Sequence, residues 1–489
     1  MALYVFGIGG TGARVIKALT MLLASGVRVP NTNAIIPILI DPDNSNGDLT
    51  RTLELLRLYK DIRMHTEHDV NGFFFNELKS LADAEGTNTT NAHHFQLEGI
   101  GSNRFKEVIE LSNMSRASQA MTRLLFSDTN LNADMQIGFK GNPNIGSVVL
   151  NRFKESPVFQ AFANAFNPDD RIVIVGSIFG GTGAAGLPLL IKNLRDADPS
   201  LPKHQLLRDA PIAAISVLPY FDVQGDDGVS IDSNTFVSKT KAALTYYAEN
   251  LCRNNTLNAL YYLGDAVSNT QKGADGSAAQ RNKAHFIELA AAMAVVNFMS
   301  YDKSSLVVKN GRAQSPMYFE YGLKQASNEI HFGHLGPEMH AAAGKSLTQY
   351  FLFQKFFREF YTEMPGSTGW MTNGTNKLQL KALDQRMIAD LARFNDAFDE
   401  WLKEMEESTT SFKPFRRDVA GKDILNAVTG FEDQPGVLDK LKGLKGLHAF
   451  SFRLSKNEPA LKSLGSSDRK LFGLFYTTTK ELVENRIKL

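Results

Sequence analysis

Apolar and polar positions follow two rhythms along this chain. Compact apolar runs at residues 3–6, 35–40, 172–175, 211–218 and 260–263 have the length of buried strands. Between them apolar residues recur three or four apart, as at Val15, Ile16, Leu19, Leu22 and Leu23, which predicts a helix over residues 13–25. Helical spacing starts again at Leu187, covers residues 239–251, and returns in a long charged segment at 377–407. Strands alternating with helices predict an α/β fold.

Residues 282–300 depart from this pattern. Phe286, Ile287, Leu289, Met293, Val295, Val296 and Phe298 spread over most of the helical circumference. A helix apolar nearly all round is predicted to lie buried between two bodies of structure. Beyond it, residues 306–321 suit strands and the remainder reads as strongly helical. Tyr350, Phe353, Phe357, Phe360 and Tyr361 form a stripe opposite Lys355, Arg358 and Glu359, which predicts core or a subunit interface. Segments 269–279 and 454–470 are polar and read as loops, and the chain shows no internal repeat.

Two of the apolar runs break into glycines and then open a helix. Gly7-Ile8-Gly9-Gly10-Thr11-Gly12 follows the first, and Gly176-Ser177-Ile178-Phe179-Gly180-Gly181-Thr182-Gly183-Ala184-Ala185-Gly186 follows the run at 172–175. Such a unit suits a phosphate: glycines let backbone N–H groups approach the anion, and the helix N-terminus adds open donors and a favourable dipole. Thr182 supplies a hydroxyl beside them. A third glycine-rich stretch, residues 138–146, contains Asn142-Pro143 and must be a turn. The first loop also matches the G-x-G-x-x-G dinucleotide pattern, and the strand at 35–40 ends at Asp41-Pro42-Asp43, where a ribose- or metal-binding acid would sit. An NAD(P)-dependent oxidoreductase of the Rossmann type is therefore open, although it leaves the second loop unexplained.

Composition narrows the classes. With 489 residues the chain has room for two or more domains, and 43% hydrophobic content excludes wholesale disorder. The balance of 53 basic and 52 acidic residues gives no electrostatic case for nucleic acid or an anionic membrane. Cys252 is the sole cysteine, so an internal disulfide and a cysteine zinc site are excluded, in keeping with a reducing cytoplasm. The apolar start at residues 2–6 is too short for a signal peptide, and the nearest approach to a membrane span, 287–299, is interrupted by Glu288 and Asn297. His65, His68, His93 and His94 lack the spacing of metal ligands and suit solvated positions, and His331, His334 and His340 are set irregularly among glycines.

These stretches together resemble the tubulin/FtsZ superfamily of GTPases. The family's loop G-G-G-T-G-[ST]-G is matched at residues 180–183 and at Gly186, with Phe179 at the first glycine and Ala184 at the Ser/Thr position. Gly141-Asn142-Pro143-Asn144-Ile145-Gly146 is similar to its G-x-N-P-[ED]-x-G loop over the terminal phosphate, with Asn144 for the acid. Residues 219–225 resemble its P-F-x-F-E-G loop, with Asp226 and Asp227 where the family is basic. Asn297-Phe298-Met299-Ser300-Tyr301-Asp302 is similar to its N-x-D-x-x-[DE] motif, with Met299 in place of the first acid.

The resemblance implies an α/β, tubulin/FtsZ-like Rossmann-type GTPase domain at 1–281, a central helix and catalytic loop at 282–302, and a divergent helix-rich C-terminal domain at 303–489. It implies GTP or GDP held by Gly9, Gly10, Thr11, Gly12, Gly141, Asn142, Pro143, Gly180, Gly181, Thr182 and Gly183, with Asn282 at the guanine. Mg²⁺ would bridge the phosphates near Asp41 or Asp43. Subunits would stack head to tail into a filament of cytoskeletal type, and Asp302 with Asn297 would complete GTP hydrolysis at a neighbour's nucleotide. The enlarged C-terminal half leaves room for a further protein partner, and the setting would be a prokaryotic cytoplasm. A nucleotide-dependent scaffold without hydrolysis is the alternative that Met299 suggests.

Overall fold

The computed structural model describes residues 1–68, 71–86, 93–95, 100, 103–135, 139, 141–224, 233–265, 269–272, 281–322, 329–360, 370, 378, 380–461 and 464–489. Its frame is a parallel sheet of seven strands: β1 (Ala2–Ile8), β2 (Ala34–Ile40), β3 (His94–Phe95), β4 (Arg171–Ser177), β5 (Ile212–Val217), β6 (Ala259–Gly264) and β7 (Met317–Gly322). β2, β4 and β5 are buried along their whole length and β1 is buried from Leu3 onward, which explains why they read as unbroken apolar runs rather than as alternation. Their order across the sheet is β3-β2-β1-β4-β5-β6-β7. The chain winds outward from β1 in one direction, then returns to β4 and winds the other way. Ligands of open α/β sheets bind at such a switch point, outside the carboxyl ends of the strands.

Helices begin inside the glycine loops rather than after them. α1 (Gly9–Ala24) starts directly from β1, and α4 (Thr182–Arg195) starts five residues beyond β4. α2 (Gly47–Arg63) follows β2, and α3 (Pro143–Leu150) rises from the Asn142-Pro143 turn, with proline at the helix start where its missing N–H costs nothing. α5 (Phe286–Ser300) is buried at every residue except Asn297 and Ser300, as its all-round apolar surface predicts. It packs against α1, β5 and β6.

The C-terminal helices α6 (Lys345–Phe360), α7 (Gln385–Glu406) and α8 (Ser467–Leu482) close onto the first half of the chain. Phe73 stacks on Phe353 with ring centres 5.1 Å apart, and Phe74 meets Phe394 edge-on at the same separation. Tyr350, Phe353 and Phe357 of the aromatic stripe are buried in the core, and Tyr361 lies outside the described residues. β7, from beyond residue 303, completes the edge of the main sheet.

Two expectations from the sequence are corrected. His93 and His94 are buried rather than solvated: His94 belongs to β3, and burial pushes the His93 imidazole down to about 4. Segment 454–470 is not loop throughout, because Gly446–Asn457 and α8 reach into it from both sides. Among the described residues no helix is long and apolar enough to cross a membrane.

Candidate functional site

The register of the sheet brings the two glycine loops level. Gly7 lies beside Val175 and Ile8 beside Gly176, so α1 and α4 leave adjacent strands at the same height. They touch where they begin. A Cβ placed on Gly9 would sit 3.3 Å from the Thr182 Cβ and 3.6 Å from the Gly183 nitrogen. The third loop closes on the same point, since a Cβ on Gly181 would sit 3.1 Å from the Gly141 nitrogen and 3.2 Å from that of Asn142. Three loops from separate parts of the chain therefore form one cradle.

The cradle is positive by construction. α1, α3 and α4 all point their N-termini at it, none carries an acidic residue in its first turn, and none has a side-chain cap. The first N–H groups of a helix have no partner within it, so three uncapped ends together suit an anion. Gly10, Gly141, Asn142, Gly180 and Thr182 are partly exposed there, while Gly9, Thr11, Gly12, Gly181 and Gly183 lie buried behind them.

The glycines divide by cause. Gly12 and Gly183 are packing positions: a Cβ on Gly12 would come within 2.4 Å of the Gly7 carbonyl carbon, and one on Gly183 within 2.7 Å of the Ser177 oxygen. Gly9 is different, with φ +69° and its Cα facing the gap between helix starts. A side chain in that conformation costs about 1–2 kcal/mol. The expected result for Gly9→Ala is a loss of stability of that order and at least ~10-fold weaker binding of a phosphate ligand, since the methyl narrows the cradle. Thermal unfolding with and without nucleotide reads both effects.

Under the cradle lies a buried ion network. Arg14, one turn into α1, gives its Nε to the Glu288 Oε1 at 2.5 Å, one terminal nitrogen to the Asp48 Oδ2 at 2.6 Å and the other to the Tyr220 hydroxyl at 2.7 Å. The Tyr220 hydroxyl donates in turn to Glu288 at 2.7 Å. Burial works against the Arg14 charge, but Tyr220, Glu288 and Asp48 outweigh it and raise its pKa. Arg51 of α2 joins Asp48 to Glu404 of α7, and Lys17 approaches the same Glu404 at 3.3 Å. Burial raises the Glu404 pKa, yet the two cations prevail and hold it below the usual value.

Asn282 sits in this network, just before α5. Its backbone N–H and side-chain amide both donate to Asp48, at 3.1 and 3.3 Å, and its carbonyl accepts from Arg51. Asp41 and Asp43 lie buried at the carboxyl end of β2. The Asp41 carboxylate accepts from the Asp43 N–H and the Asn46 amide, and Asp43 accepts from the N–H and hydroxyl of Ser45. Burial pushes the Asp41 carboxyl up to about 7. Both acids are thus engaged within their own turn. Among the described residues no group of three or more His, Cys, Asp or Glu could hold a metal.

Asp302 and Asn297 belong to the other edge of the sheet. Arg171, at the start of β4, donates to the carbonyls of Phe298, Met299 and Tyr301 and so pins the end of α5 there. Asn297 accepts from the Tyr261 hydroxyl at 2.7 Å, and Asp302 is exposed just beyond. The seven residues of β4 at about 3.3 Å each put roughly 20 Å between Asp302 and the cradle. Within one chain the two do not meet. Met299, at the position of the missing acid, is fully buried and packs in the core. Gly138, Asp226 and Asp227 lie outside the described residues.

Sequence reasoning passed over Arg14, Asp48 and Glu404, and placed Tyr220 in the 219–225 loop without a role of its own. The available signal was charge within apolar segments: Thr11, Arg14 and Lys17 recur every third residue along a buried helix, and Glu288 interrupts an apolar one.

No family model matches this sequence, and no curated protein matches it either. Comparison with solved structures finds weak likenesses. CetZ2 from Haloferax volcanii, in a GTPγS-bound protofilament, is 12% identical over 62% of this chain and 61% of that one, with a TM-score of 0.30. CetZ from Methanosaeta thermophila strain DSM 6194 is 14% identical over 61% of this chain and 51% of its own, with a TM-score of 0.27. TubZ-Bt, in a helical two-stranded filament, is 11% identical over 65% and 61%, also at 0.27. The chain thus spans between half and three fifths of the length of each. At such values the site has to be read from its own geometry.

Proposed function

We propose that this chain is a tubulin-like nucleotide-binding protein that takes GTP and GDP at the cradle and assembles head to tail. The observation that carries the reading is the meeting of three uncapped helix N-termini at the switch point of the sheet, each from a separate glycine loop. A dinucleotide-binding oxidoreductase shares the strand order but gives no reason for the loops at 141 and 180 to converge on the first. Magnesium would enter with the phosphates.

The opposite placement of Asp302 fits action on a neighbour. Stacking one sheet's amino edge over the next sheet's carboxyl edge would carry Asp302 to the phosphates of the subunit below. The carboxylate would orient the attacking water, which suits phosphoryl transfer, where positioning and charge supply most of the catalysis. A head-to-tail contact of this kind propagates into a filament unless it closes into a ring. A non-hydrolysing scaffold stays as the second reading because the first acid position is the core residue Met299.

The test is phosphate release and light scattering with Mg²⁺ and GTP or ATP over a protein concentration series. Release per molecule is expected to climb with concentration alongside GTP-specific scattering. Constant turnover in a protein shown to remain monomeric would sink the proposal, and scattering without release would select the scaffold.

A further inference from the structure

One cation at the cradle was not marked by any motif. Lys239 lies on the helix Ser233–Tyr247, and its ammonium donates to the Gly141 carbonyl at 2.5 Å. Gly141 is the residue whose nitrogen faces Gly181, so this lysine reaches the junction of the second and third loops. The side chain is half-buried, and burial alone moves its pKa, downward from the ordinary lysine value. Among the described residues no carboxylate pairs with it. The other half-buried or buried cations of this region, Arg14, Lys17 and Arg51, all have carboxylate partners.

A partly desolvated ammonium without a counter-charge is unfavourable, and three helix N-termini beside it add positive potential. An anion at this junction would offset both. A carbonyl takes only one of the three donors of an ammonium, so Lys239 can hold Gly141 and an anionic oxygen together. We propose that Lys239 is the charge partner of the ligand's phosphate chain at the Gly141 loop, making the chain select polyphosphates by charge as well as by backbone N–H contacts. This rests on the nucleotide reading of the cradle. It goes further by naming a side chain that contributes to affinity and discriminates between ligands by the number of their phosphates.

The test compares the full chain with Lys239→Gln and Lys239→Arg. Binding of GTP, GDP and inorganic triphosphate is measured by competition with a fluorescent GTP analogue, and thermal midpoints are read with and without each. Lys239→Gln is expected to weaken GTP and inorganic triphosphate by ~10-fold or more and GDP by less, while Lys239→Arg keeps most of the affinity. Without ligand the Lys239→Gln midpoint should stay level or rise, because a partly desolvated cation has gone. A purely structural bond to Gly141 predicts the reverse, a lower midpoint with equal losses for all three ligands. That outcome, or unchanged affinity in a variant whose parent binds, overturns the inference about Lys239. If the parent chain binds none of the probes, the nucleotide reading itself has failed.

Discussion

Asp302→Ala is expected to lower phosphate release from GTP by about 100-fold or more, the usual contribution of a group that orients or deprotonates the nucleophile. Binding of GTP by the same variant should not change. The distinction follows from geometry: Asp302 lies at the amino edge of the sheet, and the cradle lies at the carboxyl edge of the same chain. The substitution should also leave the fold intact. Asp302 is exposed, no side-chain cap bond from it holds the short helix Lys303–Leu306, and exposed changes of this kind rarely move stability by more than ~0.5 kcal/mol. A mixing experiment sharpens the test. Asp302→Ala subunits still offer an intact cradle, so adding a second variant that cannot bind nucleotide but keeps Asp302 should restore part of the release. Equal rates in parent and variant, or no rescue in mixtures despite shared filaments, would count against a neighbour's carboxylate as the catalytic group.

The frame of this fold was legible in the sequence for a simple reason. Strands buried on both faces show as unbroken apolar runs, and glycines between strand and helix mark places where backbone must approach backbone. Gly12 and Gly183 are read from the glycine loops that follow the apolar runs, and their nearest neighbours in space are Gly7 and Ser177 at the start of the same loops. The starts of α1 and α4 were harder to place, because glycines suggested loop where the first helical turn already runs. His93 and His94 misled because a polar pair in a glycine- and asparagine-rich neighbourhood looks solvated, whereas β3 is a two-residue edge strand with too little length to register a pattern. Least visible were interactions between distant parts of the chain. Lys17 and Glu404 are 387 residues apart, and nothing local to either announces the other.

That network supports the second large effect. Arg14→Met is expected to cost about 3–5 kcal/mol, the loss seen when one partner of a buried ion pair is removed. Arg14 and the carboxylates of Asp48 and Glu288 are all buried, at 0–2% side-chain exposure. Asp48 would keep Arg51 and the Asn282 donors, but among the described residues Glu288 would keep only the Tyr220 hydroxyl and the His285 N–H. The penalty therefore falls mainly on Glu288, and the double variant Arg14→Met with Glu288→Gln should regain a good part of it, since an unpaired charge is replaced by a neutral amide. Denaturant midpoints of the single and double variants decide this, and a single variant within ~1 kcal/mol of the parent would refute it. The consequence for function is coupled. Arg14 also reaches the Thr11 hydroxyl at 3.3 Å in the first turn of α1, while Arg51 and Lys17 carry the network on to Glu404 of α7. Loosening Arg14 should thus weaken nucleotide binding beyond what the stability loss explains, because α1 would no longer be anchored at the turn that forms the cradle.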